Sequence, residues 1–221
     1  MANYEVDPSL LEPLVPVGCE LDMHDGKCFV SLVGFMFLNT RVLGIPVPFH
    51  VNFEEVNLRF YVRHETGTEV QRGVVFVKEI VPRWAIAFVA RTLYGEPYEA
   101  WTMANVRNGR EVGYSWNSGR CSNSMGVEIG ENIGVPDADS HGEFIIEHYW
   151  GYTRRGANRT DEYKVEHPKW ELFSTRNERI DVDFGETYGV QFAFLSRTQP
   201  YSALLAKGSE IAVFKGQSIS I

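Results

Sequence analysis

The sequence lacks a basic excess: 21 Lys and Arg stand against 29 Asp and Glu, a formal net charge of -8. A nucleic-acid backbone calls for a cationic footprint, so no nucleic-acid partner is expected. Long hydrophobic runs are missing too. The most apolar stretch, Cys28 to Leu38, is interrupted by Ser31 and Gly34 and is too short to span a bilayer as a helix. Met1 to Asp7 carries neither the basic nor the apolar part of a secretion signal. No membrane partner is expected, and a soluble cytoplasmic protein is. Cysteine is scarce: Cys19, Cys28 and Cys121 have no C-x-x-C spacing, which reads as buried thiols in a reducing compartment. The six histidines form no H-E-x-x-H, and P-loop, dinucleotide and G-x-S-x-G signatures are absent. No metal and no cofactor are expected.

What is present is a large apolar fraction, 44% hydrophobic with 13% aromatic residues. That is enough for one domain over residues 1–221, and no repeat or linker divides it. Strand signals prevail. Cys19 to Met23 turns at Asp25-Gly26 into Lys27 to Arg41, whose apolar middle predicts a central strand buried on both faces. Phe53 to Arg63 alternates, and Gly73 to Val81 reads as the next strand. Tyr98 to Tyr114 turns at Asn108-Gly109, a strong hairpin signal. Further strands are predicted near Gly126 to Ile129, Glu143 to Arg154, Glu162 to His167, Lys169 to Ser174, Ser202 to Leu205 and Glu210 to Phe214. Helices are few. Asp7-Pro8 opens a short one, Glu186-Thr187-Tyr188 starts another, and a central helix spans Pro82 to Tyr94, with Gly95 as its C′ residue. The fold class is mainly β (α+β): a strongly bent antiparallel sheet or open barrel.

The strand Phe53 to Arg63 puts Val56, Leu58, Phe60 and Val62 on one face and Glu55, Asn57, Arg59, Tyr61 and Arg63 on the other. The polar set is either a solvated face or a pocket wall. Inside a pocket, Glu55 and Arg59 would pair, and Arg59 would keep donors for a ligand carboxylate. Lys78 and Glu79 are adjacent within an apolar strand, so they point to opposite faces. Glu79 is a candidate acid, base or buried anchor. In Glu147-His148-Tyr149-Trp150, alternation would place His148 on a face with Trp150 and Tyr152.

Three ordered stretches resemble the acetoacetate decarboxylase superfamily: Tyr4-x-Val6-Asp7 through Val15-Pro16 to Glu20-Leu21-Asp22; Phe53-Glu54-Glu55; and Ile80, Pro82, Ala85-Ile86-Ala87, Arg91, Tyr94-Gly95-Glu96-Pro97. A closer resemblance, over nearly the whole chain, is to an uncharacterised bacterial family grouped with it, domain of unknown function 2071. Its hallmarks look like Phe53 to Arg59, Gly73-Val74-Val75-Phe76 with Glu79 to Arg83, and Glu147 to Tyr152. The resemblance implies a cone-like β-barrel with a central pocket. The decarboxylases place two lysines after the proline matching Pro97, one forming a Schiff base; here Tyr98 and Glu99 stand there. Tyrosine forms no imine. Glu55 falls on their active-site glutamate, whereas their active-site arginine lies upstream of the stretch matching Met1 to Asp7.

Two classes of function follow as expectations. One is a pocket for a small acidic or carbonyl compound without Schiff-base chemistry. Its candidates are Glu55 as acid/base, Tyr98 at the lost lysine position, and Arg59, Tyr61, Asn57, Glu79 and Glu99 around the ligand. The other is a non-enzymatic ligand-binding or sensing module, or an assembly scaffold with no ligand site. Whether the protein is an enzyme and whether it forms a homo-oligomer stay open at this point, and a variant reading makes Lys78 a relocated imine-forming amine.

Overall fold

Extended segments dominate the computed structural model, which describes residues 1–42, 45, 46, 51–84, 87 and 95–220. In the first half lie β1 (Ala2–Val6), β2 (Cys19–Leu21), β3 (Cys28–Phe37), β4 (Arg41–Val42), β5 (Ile45–Pro46), β6 (Phe53–Glu65), β7 (Val70–Val81), β8 (Tyr98–Ala100) and β9 (Thr102–Asn108). The second half adds β10 (Glu111–Asn117), β11 (Ser122–Gly134), β12 (Trp150–Arg154), β13 (Arg159–Glu166) and β14 (Leu172–Asp181). The short strands β15 (Ser202–Ala203), β16 (Leu205–Ala206), β17 (Ala212–Val213) and β18 (Gln217–Ser220) complete the sheets, and α1 (His141–Ile146) and α2 (Phe184–Tyr188) are brief helices.

One sheet runs β15-β1-β3-β6-β7-β12-β13-β17, with β2 on β6, β8 on β7 and β18 on β13. The other runs β16-β14-β11-β10-β9. The expectation of a single bent sheet gives way to two large sheets and the separate pair β4-β5, and the path of the largest ends at β15 and β17 without closing among the described residues. Nor is it wholly antiparallel: β12 and β8 both pair parallel to β7.

The two faces of β6 explain its central place. Val56, Leu58, Phe60 and Val62 join the main core with Trp116 and Met125 of the second sheet and Phe184, Phe192 and Leu195 near α2. On the opposite face, Tyr61 packs with Phe29, Val74 and the α1 residues Phe144, Ile145 and Ile146. β3 pairs with β6 from Val30↔Phe60 to Phe37↔Phe53 and is buried on both faces over its first six residues.

Several local expectations are corrected. Asp7 caps as expected, accepting from Ser9 N at 2.9 Å, but the helix splits into 3-10 turns at Pro8–Leu10 and Glu12–Leu14. Pro13 has no N–H to continue a helical ladder. Glu143 to Ile146 is helix rather than strand, because Ser140 accepts from Glu143 N and starts α1. His148 therefore lies between helix and strand, and alternation with Trp150 and Tyr152 does not apply to it. The hairpin near Asn108-Gly109 forms, with Asn108 and Glu111 paired and Gly109 at φ 58°. Most of the expected helix from Pro82 to Tyr94 lies outside the described residues. Trp84 and Ala87 are helical, and Gly95 has the left-handed φ of 71° that suits a C′ residue. The three cysteines are free, and Cys28 alone among them is fully buried.

Candidate functional site

Register decides which polar side chains meet. Across β6 and β7, Asn57 stands opposite Glu79 and Leu58 opposite Lys78, but Arg59 stands opposite Phe76. Val77 is thus an extra residue, a β-bulge. Because side chains alternate with period two, one inserted residue exchanges the faces of everything beyond it. The bulge brings Glu79 to the face of Glu55 and Asn57 and sends Lys78 to the face of Leu58. β8 then pairs in parallel, Tyr98 level with Glu79 and Glu99 level with Ile80. Tyr98 joins Glu55, while Glu99 is carried to the other side. There it pairs with Lys78 at 2.9 Å and accepts from Trp101 Nε1 at 2.9 Å. The expected ligand-binding role of Glu99, and the relocated-amine reading of Lys78, thus meet a pair facing away from Glu55.

The polar face of β6 is solvated only at its Arg63 end. Glu55 and Asn57 are 1% exposed and Glu79 is 2% exposed. Asn57 Nδ2 donates to Glu55 Oε1 at 2.9 Å, and the Tyr98 hydroxyl donates to Glu55 Oε2 at 3.1 Å. The Glu79 carboxyl lies close enough for each of the two acids to bear on the other's protonation. Ala87 packs with Phe53, Val81 and Tyr98 over the same region.

A third carboxyl, unforeseen from the sequence, is Glu96, 3% exposed and just before β8. Burial pushes Glu55 up to about 7, against hydrogen bonds from Asn57, Tyr98 and Glu79 and the charge of Arg59. Burial also pushes Glu96 up to about 8, with Thr153 and Tyr163 opposing and the charge of Glu55 adding. Glu79 is driven well above the carboxylate range by burial, then by the charges of Glu55 and Glu96. Burial and these carboxylates keep the Tyr98 and Tyr163 phenols protonated. At neutral pH the cluster therefore holds protons, the condition for acid/base work.

Tyr163 reaches the cluster over a glycine. Gly151 is its direct partner across β12 and β13, and a Cβ there would lie 2.2 Å from Tyr163 Cζ. Gly151→Ala is expected to displace the ring and cost about 2 kcal/mol, the usual scale of overpacking. Thermal denaturation checks it; an unchanged melting temperature would show that the ring has room to move.

The remaining candidates lie apart from the carboxyls. Arg59 does not form the expected ion pair with Glu55; it donates to Ile145 O at 3.2 Å, its guanidinium 5.7 Å from the Tyr61 ring. The Tyr61 hydroxyl bonds Ser31 Oγ at 2.6 Å, and Ser31 bonds Asn3. Beside them, Asp22 Oδ2 accepts from Arg72 Nε at 2.6 Å and His148 Nε2 at 3.1 Å. A surface cleft of about 520 Å³ is lined by Glu54, Arg83, Trp84 and Trp101, but by none of the buried carboxyls.

Among solved structures, the chain is similar to acetoacetate decarboxylase from Legionella pneumophila, with TM-score 0.60 and 11% identity over 98% of this chain and 79% of that one. It is also similar to the enduracididine biosynthesis enzyme MppR, with TM-score 0.63 and 13% identity over 99% and 84%. These likenesses establish a mainly β, acetoacetate decarboxylase-like fold. In sequence it is 33% identical over 114 residues to the uncharacterized protein YqjF of Bacillus subtilis strain 168. That alignment covers 51% of this chain and 46% of the relative, so the chain spans about half the relative's length. The model of DUF2071, described as an uncharacterized conserved protein, matches residues 1–210. With nearly the whole sequence covered, the chain belongs to the DUF2071 family.

Proposed function

We propose that the chain holds, within a cone-like open enclosure, a pocket for a small acidic or carbonyl compound, and that it handles this compound by acid–base and hydrogen-bond chemistry rather than through a lysine imine. The observation that carries this reading is Glu55: fully buried, held by Asn57 and Tyr98, and beside the equally buried Glu79. A carboxyl raised to about 7 is both donor and acceptor at neutral pH. The Tyr98 hydroxyl, turned from Glu55 to the ligand, and the Glu79 carboxyl polarise a carbonyl oxygen, while Glu55 gives or takes the proton. Arg59 anchors a carboxylate from the α1 side of the same face; its buried Nε has no partner among the described residues. MppR has been seen complexed with pyruvate, which supports a small keto acid as the kind of compound this fold accommodates.

A panel of small keto and hydroxy acids, pyruvate and 4-oxopentanoate among them, tests the reading by thermal shift. A ligand at about 100 times its dissociation constant adds about 2.7 kcal/mol, a rise of roughly 5–10 °C at this chain length. Glu55→Gln and Arg59→Ala are expected to lose most of that rise. No stabilisation by any member of the panel would sink the pocket reading. Binding without turnover would favour the non-enzymatic, sensing form of it.

A further inference from the structure

We infer that the ligand of this pocket carries a cationic nitrogen, an ammonium or amidinium, that docks among Glu55, Glu79 and Glu96 and displaces protons from them. This rests on the pocket proposed above and names the class of compound it takes.

The argument starts from atoms left over. Asn57 Oδ1, Glu79 Oε2 and Glu96 Oε1 are buried and have no hydrogen-bond partner among the described residues. Their residues are 1%, 2% and 3% exposed, so bulk water does not satisfy them. Asn57 Oδ1 can only accept, and each carboxyl oxygen accepts once its proton has left. Buried polar atoms left unsatisfied are costly, and their natural complement is a group made of donors. An ammonium offers three N–H donors and no acceptor, and an amidinium offers a planar set. A plain keto acid brings only acceptors and leaves Asn57 Oδ1 as it is.

Charge points the same way. The ionisable groups facing the cluster are Glu55 and Arg59 from β6, Glu79 from β7, Glu96 and Tyr98 at β8, Arg155 after β12 and Tyr163 from β13. The two guanidiniums have other attachments: Arg59 on Ile145 O, and Arg155 on Asp161 at 2.7 Å. The bulge at Val77 turns Lys78 away toward Glu99. Without a ligand, burial first and the neighbouring acids second make the carboxyls keep protons. An incoming cation offsets that burial with its own charge and donors, so a carboxyl O–H ionises, its proton leaves to solvent, and the carboxylate stays against the N–H donors. With Arg59 as the carboxylate anchor on the same strand face, the ligand is a short amino acid or keto acid with its nitrogen at the far end.

Isothermal titration calorimetry at pH 7.5, in two buffers of different ionisation enthalpy, tests this with 5-aminopentanoate, pentanoate, 4-oxopentanoate and butylamine. The expected result is that 5-aminopentanoate binds at least about tenfold more tightly than pentanoate. Its apparent enthalpy differs between buffers by an amount that reports net proton release. Glu96→Gln reduces that preference by roughly tenfold, as loss of one partner of a buried charge pair does. Proton release by the unaltered protein is a separate readout should that variant fold poorly. If pentanoate and 4-oxopentanoate bind as tightly as the amine, or binding releases no protons, the cationic nitrogen is wrong and the pocket stands. If none of the four binds, both readings fall.

Discussion

Glu79→Gln raises the stability of the protein, and the gain grows as the pH climbs from 5 to 9. Glu79, Glu55 and Glu96 keep their protons in the fold far above the ordinary value of 4.5, at which the unfolded chain releases them. Between 4.5 and the folded values, the native state binds more protons than the unfolded one, so stability falls as pH rises. Below 4.5 both states are protonated and the effect vanishes. Above about 7 for Glu55 and about 8 for Glu96, their contributions stop growing. Each such group costs at most about 1.4 kcal/mol per pH unit inside its window. Glu79, raised well above 4.5 by burial and by two neighbouring acids, behaves in the same way. Glutamine keeps the shape and donates to Glu55 through its amide without titrating. Urea denaturation at pH 5, 7 and 9 is expected to show a gain of a few kcal/mol at pH 9 and little at pH 5. Parallel pH profiles for the two proteins would mean that Glu79 is not protonated in the fold.

Asp22→Ala acts in the opposite direction. Asp22 follows β2, where its N–H bonds Tyr61 O at 3.0 Å, and one carboxylate oxygen receives both Arg72 and His148. Burial alone would raise this carboxyl, but the hydrogen bonds and charges of His148 and Arg72 outweigh it and hold it below the usual value. His148 is neutral, pushed down to about 4 chiefly by burial. It packs 4.7 Å from the Tyr61 ring and 5.2 Å from Phe144. Removing the carboxylate leaves the Arg72 guanidinium above Phe144 without an anion and the buried imidazole N–H without an acceptor. Breaking a partly buried pair of this kind costs roughly 2–4 kcal/mol, a drop of about 5–10 °C at this size. The wild-type contribution is full above pH 3.8 and is lost as pH falls through the depressed folded value, so the deficit of the variant should shrink in acid. A variant within about 0.5 kcal/mol of wild type would show that Arg72 and His148 find other partners.

Much of the site could be read in β6 before any fold was available. Its alternation named Glu55, Asn57, Arg59, Tyr61 and Arg63 as one face, of which Glu55, Asn57 and Tyr61 are buried, Arg59 partly so, and Arg63 exposed. The expected Glu55–Arg59 pair does not form because Arg59 bonds a carbonyl on α1, where alternation from Glu143 onward suggests strand. Glu96 sits in Gly95-Glu96-Pro97, outside regular structure, where no periodicity reveals which way a side chain points. Tyr163 was missed for another reason: its reach depends on Gly151 across the strand pair. For Lys78 and Glu79 the strand was correct and the opposition of faces was correct, yet nothing local said which residue would face Glu55.

By itself, then, the sequence determined period and composition: strands rather than helices, a polar stripe within an apolar strand, and no lysine beside Pro97. These are properties of neighbouring residues, set by backbone geometry and side-chain chemistry. Only the tertiary structure decided that the stripe is interior, that the extra Val77 delivers Glu79 rather than Lys78, and that Glu96 and Tyr163 close around it. Register and burial arise between segments far apart in the chain, where hydrogen-bond pairing chooses among alignments that local alternation leaves equal.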